Sequence, residues 1–245
     1  MNLGGNTVLI TGGATGIGFA LAERFLKAGS EVIICGRREE KLQEAQRKHP
    51  ALHIRVCDVA EEAQRVELFE WATKAFPRLN VLVNNAGIQR RGSFLEDKEP
   101  WPVRRQEIAI NVEAPIHLSA LFIPHLQQQV QAAIINVSSG LAFTPGTFAS
   151  VYSATKAAIH SFTMTLRHEL AQTSIKVIEI VPPAVDTDLG GAGIHTMGVP
   201  VDEFADSIMK RISAGELEVG YGRSEKARLA SREEIDEMVR IMSNL

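Results

Sequence analysis

Several residue types and patterns are scarce in this chain of 245 residues, and each scarcity narrows what it can be. Cysteine occurs only at Cys35 and Cys57, in neither a Cys-x-x-Cys pair nor a His/Cys cluster. No disulfide framework is expected, and both are read as reduced packing residues. Aromatics make up 6% against 19 glycines, a balance that suits alternating sheet and helix better than a β-sandwich. Neither sign of charge dominates, since 26 basic residues meet 29 acidic ones for a formal charge of -3. That leaves no electrostatic footprint for nucleic acid or an anionic membrane surface. No apolar run approaches the roughly 20 residues that span a bilayer. The short apolar stretch Val8 to Ile10 has neither a basic flank nor a cleavage site, so no signal peptide is read and the cytoplasm is the expected location. The seven histidines show no His-Glu-x-x-His or similar spacing, and no catalytic metal is expected. Small molecules and other copies of the chain are the partners this leaves.

Short β-branched runs alternate with longer stretches of helical period. The runs are Thr7 to Thr11, Glu31 to Cys35, His53 to Cys57, Val81 to Asn84, Ala132 to Val137 and Ile175 to Ile180. Gly18 to Ala28, Glu39 to Lys48, Glu61 to Phe76 and Ser153 to Leu170 carry apolar residues every three to four positions and predict helices. Strands apolar on both faces call for helices on both sides, so the fold class is α/β: one doubly wound parallel sheet in a single domain, residues 1–245. From Leu189 to Val199, four glycines disfavour helix and strand and predict a mobile flap.

Directly after the first strand stands Thr11-Gly12-Gly13-Ala14-Thr15-Gly16-Ile17-Gly18, then a helix. Glycines here let backbone approach a pyrophosphate, and the helix N-terminus offers free N–H groups to it. The spacing Gly-x-x-x-Gly-x-Gly differs from the usual dinucleotide fingerprint and resembles that of the short-chain dehydrogenase/reductase family. Further motifs of that family follow in order: Asn84-Asn85-Ala86-Gly87, Asn111, Ile135-Asn136-Val137-Ser138-Ser139, and Tyr152-Ser153-Ala154-Thr155-Lys156. The stretches Asn85-Ala86-Gly87-Ile88-Gln89-Arg90-Arg91 and Glu179-Ile180-Val181-Pro182-Pro183-Ala184-Val185 resemble its bacterial DltE-type members. The resemblance implies a Rossmann-type sheet of about seven strands in the order 3-2-1-4-5-6-7. It also implies Asn111, Ser139, Tyr152 and Lys156 as catalytic residues. The family's serine stands thirteen positions before its tyrosine, which selects Ser139 over Ser138.

Chemistry gives these residues reasons of their own. Tyr152 and Lys156 lie four apart, on one face of a helix. A neighbouring ammonium favours the phenolate and lowers the tyrosine pKa, making Tyr152 a usable general acid/base. Ser139 would stabilise a developing oxyanion. By resemblance, Lys156 also holds the nicotinamide ribose, and Asn111 positions a proton-relay water. A helix-surface pair and a turn-capping serine pair are the alternatives when each motif is taken alone.

At the end of the second strand, where an acidic side chain would select NAD, the chain has Gly36, Arg37 and Arg38. This pattern favours NADP(H), although Thr15 stands where many NADP-using relatives add a basic residue. Solvated arginines at a helix start are the alternative. The cofactor-binding residues so implied are Gly12, Thr15, Gly16, Ile17, Gly18, Arg37, Arg38, Asp58, Val59, Asn85, Ala86, Gly87, Tyr152, Lys156, Pro182 and Thr187. Asp58 is equally placed to cap a helix, with Glu61 three residues on. Pro183 stands where relatives have glycine and puts the fine placement of the nicotinamide in question. Leu141, Ala142, Phe143 and Phe148 are expected to line an apolar substrate pocket. Arg90 and Arg91 beside it either hold an anionic substrate or are solvated. The expected activity is hydride transfer between NADP(H) and a carbonyl or alcohol. The rivals are a nucleotide-binding sensor or scaffold without turnover and a lyase or epimerase. The helix Ser153 to Leu170 is apolar around much of its circumference and predicts a homodimer or homotetramer.

Overall fold

A computed structural model describes residues 1–92, 94 and 99–243 of the chain. Seven strands form one parallel sheet: β1 Thr7–Thr11, β2 Glu31–Gly36, β3 His53–Val56, β4 Val81–Asn84, β5 Ala132–Val137, β6 Ile175–Val181 and β7 Glu218–Gly220. Their order is β3-β2-β1-β4-β5-β6-β7, as the resemblance implied. The helices are α1 Gly16–Lys27, α2 Glu39–Lys48, α3 Glu62–Ala75, α4 Trp101–Ile108, α5 Ala114–Leu126, α6 Ser150–Glu169, α7 Val201–Ser213, α8 Arg223–Leu229 and α9 Arg232–Ser243.

The alternation of side chains along each strand explains the two layers of helices. Val8 and Ile10 of β1 join Leu21 and Phe25 of α1 and Phe204 and Ile208 of α7 in one core. Leu9, pointing the other way, joins Leu68 of α3 and Leu118 and Phe122 of α5 in the other. All residues of β1, β4 and β5 are buried, so their sequences are largely apolar, with a polar residue near each carboxyl tip and Thr7 at the start of β1. Cys35 and Cys57 are free and buried. Among the described residues no helix is long and apolar enough to cross a membrane.

The chain winds outward from β1 to β3, then returns and winds the other way from β4 to β7. The strand order therefore reverses between β1 and β4, and a crevice opens at their carboxyl ends. The expected segments agree with these elements to within a few residues. One feature that bears on the site is at Asn111, which lies in a π-helical turn, Ala109–Glu113, between α4 and α5.

Candidate active site

The carboxyl ends of the central strands line a single cleft of about 1560 Å³. Its floor is backbone. Gly12 has φ +63°, and a Cβ added there would lie 2.9 Å from Ala86 Cα. At Gly18 a Cβ would lie 2.4 Å from both Asn85 Nδ2 and the Gly12 oxygen, so the glycine turn and the Asn-Ala-Gly turn touch too closely for side chains. Asn85 Nδ2 donates to the carbonyls of Thr11 and Gly12 at 3.0 and 3.1 Å. Thr11 Oγ1 accepts from the N–H groups of Asn85 and Ala86 at 3.1 and 3.0 Å. α1 begins at Thr15 with no side-chain cap and no acid in its first turn. Its first N–H groups stay available to an anion, and Gly16, Ile17 and Gly18 line the cleft where a pyrophosphate fits.

At one end of the cleft stand Gly36, Arg37, Arg38, Asp58 and Val59, joined by Lys41. Sequence reasoning passed over Lys41, although it lies one helical turn beyond Arg37 and adds a third cation. The Arg37 guanidinium is 3.8 Å from Asp58, and both are partly exposed. The capping alternative for Asp58 does not hold, because α3 starts at Glu62; Asp58 Oδ1 instead accepts from the N–H of Ala60 at 3.0 Å. That turn is strapped from beneath by Arg65, which is 1% exposed. Arg65 donates to the carbonyls of Val59 and Ala60 at 2.8 and 3.3 Å, to Glu113 at 2.6 Å and to His117 Nδ1 at 2.9 Å. No local pattern marks Arg65 in the sequence, because Glu113 and His117, which hold its other nitrogens, come from a distant stretch of chain.

At the other end α6 meets the tip of β5 over three successive turns. Tyr152, Lys156 and His160 stand at i, i+4 and i+8 on one helix face. Tyr152 is buried, and burial together with the nearby Glu107 carboxylate pushes its phenol above the usual tyrosine value; the Ser139 hydroxyl, which bonds it, pulls the other way. The lowering expected from Lys156 is not found, and the net shift is upward. The Lys156 Nζ lies 5.6 Å from the Tyr152 ring centroid and donates to the Val137 carbonyl at 2.8 Å. Burial lowers Lys156 to about 8, while Glu107 and Glu179 oppose the fall. Ser139 Oγ accepts from the Leu141 N–H at 3.1 Å, so it caps the short turn Gly140–Ala142 and lines the cleft at once.

Asn111 is the exception among the expected catalytic and cofactor-binding residues, since it is buried and does not line the cleft. Its Oδ1 accepts from the Ile88 N–H at 2.9 Å, and its Nδ2 donates to the Ile88 carbonyl and to Thr155 Oγ1 at 2.9 and 3.1 Å. The amide is fully spent on structure.

A hydrogen-bonded chain that sequence spacing did not reveal lies beneath the site. Ser138 Oγ donates to Glu179 at 2.5 Å, and His160 Nδ1 donates to the same carboxylate at 2.9 Å. Glu179 is wholly buried, and its bond raises the His160 pKa. Glu218, paired with Glu179 across β6 and β7, completes a group of three possible metal ligands with His160. Glu218 is also flanked by Arg167 at 3.8 Å and Arg228 at 3.5 Å, so two guanidinium groups already neutralise this cluster. Glu107 is the other buried carboxylate; it accepts from the Arg90 N–H at 3.0 Å, and burial raises its pKa.

Around the mouth, Leu141 and Phe148 line the cleft, but Ala142 and Phe143 do not. Phe143 packs on His160 instead, with ring centroids 4.4 Å apart. The Arg91 guanidinium lies over the Phe148 ring at 4.6 Å. Segment 189–199 is a series of turns whose base is closed by Asp186 N–H to Val199 O and Val199 N–H to Ala184 O, both at 2.9 Å. His195 Nε2 donates to Gln89 Oε1 at 3.1 Å across the rim.

Comparison with known proteins agrees with this geometry. Residues 6–196 match the family model described as short chain dehydrogenase. The chain is 48% identical to the uncharacterized oxidoreductase DltE of Bacillus subtilis, over 99% of this chain and 98% of that one. A short-chain dehydrogenase from Burkholderia cenocepacia in complex with NADP superposes with a TM-score of 0.84 at 28% identity, covering 98% of this chain and 99% of that one. A 3-ketoacyl-(acyl-carrier-protein) reductase from Brucella melitensis complexed with NADH gives 0.81 at 27% identity, covering 91% and 99%.

Proposed function

The chain belongs to the short-chain dehydrogenase family, and on that premise we propose that it is an oxidoreductase moving a hydride between NADP(H) and a carbonyl or alcohol. The observation that carries the reading is one cleft with Arg37, Arg38 and Lys41 at one end and Ser139, Tyr152 and Lys156 at the other. Relatives are found with NADP and with NADH, so the three cations and the lack of an acid at Gly36 support the choice of NADP(H). The glycine turn and the uncapped start of α1 suit a pyrophosphate.

When bound, the cofactor supplies or accepts the hydride. In the reductive direction Tyr152 gives its phenolic proton to the substrate oxygen, while the Ser139 hydroxyl donates to the same oxygen as negative charge develops there. Burial keeps Tyr152 protonated at neutral pH, the form a general acid needs. Lys156, an ammonium below about pH 8, holds the ribose beside Tyr152. Asn111 fixes Ile88 and Thr155 beside the reacting groups. Residues 1–245 act as one dinucleotide-binding domain, over which segment 189–199 moves as a flap. On α6, Ile159 and Leu166 are buried within the chain while Met164 stays 43% exposed, and Ile116 of α5 is also exposed; this supports pairing with a second copy.

A panel of carbonyl compounds, followed by loss of NADPH absorbance, tests the reading. Turnover with NADPH outpacing NADH is expected. Tight NADPH binding with no carbonyl or alcohol turned over would replace the enzyme by a nucleotide sensor.

A further inference from the structure

Beyond the reacting groups, the cleft extends along a part of the chain that the catalytic reading leaves unused. α8 packs against the turn that follows Ser139: Ser224 Oγ donates to the Val181 carbonyl at 2.5 Å, and a Cβ on Gly140 would lie 3.1 Å from Ser224 Cβ. Two residues later the chain enters α9, which lies beyond residue 196, where the match to the family ends. α9 is strongly amphipathic, with Ile235, Met238, Val239 and Met242 along one stripe, yet none of its residues is buried. Met238, Ile241 and Met242 line the same cleft as Ser139 and Tyr152. Across the opening, Met197 of segment 189–199 lines it too and is 98% exposed. Four apolar side chains thus line one mouth, Met197 and Ile241 exposed and Met238 and Met242 half-buried, and three of the four are methionines, whose flexible thioethers adapt to varied apolar surfaces. At about 1560 Å³ the cleft also exceeds the roughly 300–1,000 Å³ of ordinary ligand sites, leaving room beside a dinucleotide.

We propose that α9 and segment 189–199 form the two walls of a channel for an elongated apolar chain, so that the substrate is a carbonyl or alcohol carrying an alkyl tail. This rests on the oxidoreductase reading above and adds the class of substrate to it. The reacting oxygen sits at Ser139 and Tyr152, and the tail runs outward past Leu141 between the methionines. Each methylene that leaves water in the channel adds to binding.

The experiment measures NADPH-dependent reduction of 2-alkanones of increasing length, and calorimetric binding of the matching 2-alkanols to the NADPH-loaded protein. In the unmodified chain both kcat/KM and affinity should rise about threefold to fourfold per methylene, the equivalent of about 0.8 kcal/mol, until the channel is full. A Met238→Ser, Met242→Ser double variant, altered only at unburied positions, should reduce the gain to less than about twofold per methylene. Turnover without any gain along the series overturns the channel and leaves the reductase reading intact. A full gain surviving in the double variant also overturns it, and dissociation of an oligomer by those substitutions would then assign the stripe to a second copy. A preference for ω-carboxylated chains would overturn the apolar assignment in favour of Arg223 and Lys226, which also line the cleft. If no ketone is reduced but the calorimetric series rises and flattens as described, the channel stands and the reductase reading falls.

Discussion

The two ends of the cleft are held together in different ways. At the dinucleotide end the site is made of backbone, with glycines in contact, Thr11 and Asn85 strapping one turn to the next, and a buried arginine bracing the turn at Asp58. At the other end it is made of side chains on weakly anchored segments: residues 189–199, closed at their base by two backbone bonds and held by one histidine, and the helix α9 with no buried residue. The first end has no freedom to adapt. The second can reshape at little cost, because few contacts must be given up. On the proposed reading, cofactor binding rests on packing and substrate choice on its scarcity.

Removing the acid at the junction of the two ends should give the largest effect. Tyr152→Phe keeps the ring and its burial, so NADPH affinity should survive while turnover falls by about 10² to 10⁴. Single-turnover hydride transfer and cofactor titration on the same preparation check this, and equal rates would remove Tyr152 from the mechanism. The brace comes next. Arg65→Met leaves the Val59 and Ala60 carbonyls without their donor in a buried setting, at a cost of about 3 kcal/mol in urea unfolding. Cofactor affinity should weaken with it, because the turn carrying Asp58 and Val59 loses its support. A variant as stable as the parent would show that the dinucleotide end is less tightly built than the contrast claims.

What could be read from the residues alone follows the same division. β1, β4 and β5 are buried on both faces, so each leaves an unbroken apolar run with a legible end. β7 is three residues long and offers no run at all; its place came only from the resemblance. Tyr152 and Lys156 announce themselves by spacing within one helix. Glu179 and Glu218 do not, because strand pairing brings them together across a long stretch of chain. Phe143 was misplaced for a similar reason: its position between Ser139 and Tyr152 suggested the pocket, but its ring is taken by His160. The π turn at Asn111 has no signature in local sequence, since one extra residue per turn is decided by what the helix packs against.

A smaller effect is expected at the phosphate-binding rim. Gly36→Asp with Arg37→Ser adds an anion and removes a cation where the 2′-phosphate is expected. The preference for NADPH over NADH should fall by about tenfold or more, a modest figure because Arg37 and Asp58 are partly exposed. Parallel titrations with both cofactors measure it. An unmodified protein that binds NADH as tightly as NADPH would end the assignment before any substitution is made.

The smallest expected effect is a gain in stability. Folding lowers Lys156 from 10.5 in the free side chain to about 8, so between those values the unfolded chain binds more protons than the folded one. Stability of the unmodified protein should therefore rise as pH increases through that window, and below about pH 8 it carries the full penalty of burying an ammonium, about 3 kcal/mol at most. Lys156→Met removes the penalty but also the bond to the Val137 carbonyl, worth about 1 kcal/mol, and leaves that oxygen unpaired. A net gain of about 1 kcal/mol at pH 7 is expected, shrinking to nothing and then reversing as pH approaches 10.5, with NADPH binding weakened throughout. Urea midpoints of the two proteins across that range measure the difference. A variant less stable than its parent at pH 7, or a gap that does not change with pH, would mean that the buried lysine is held at no cost.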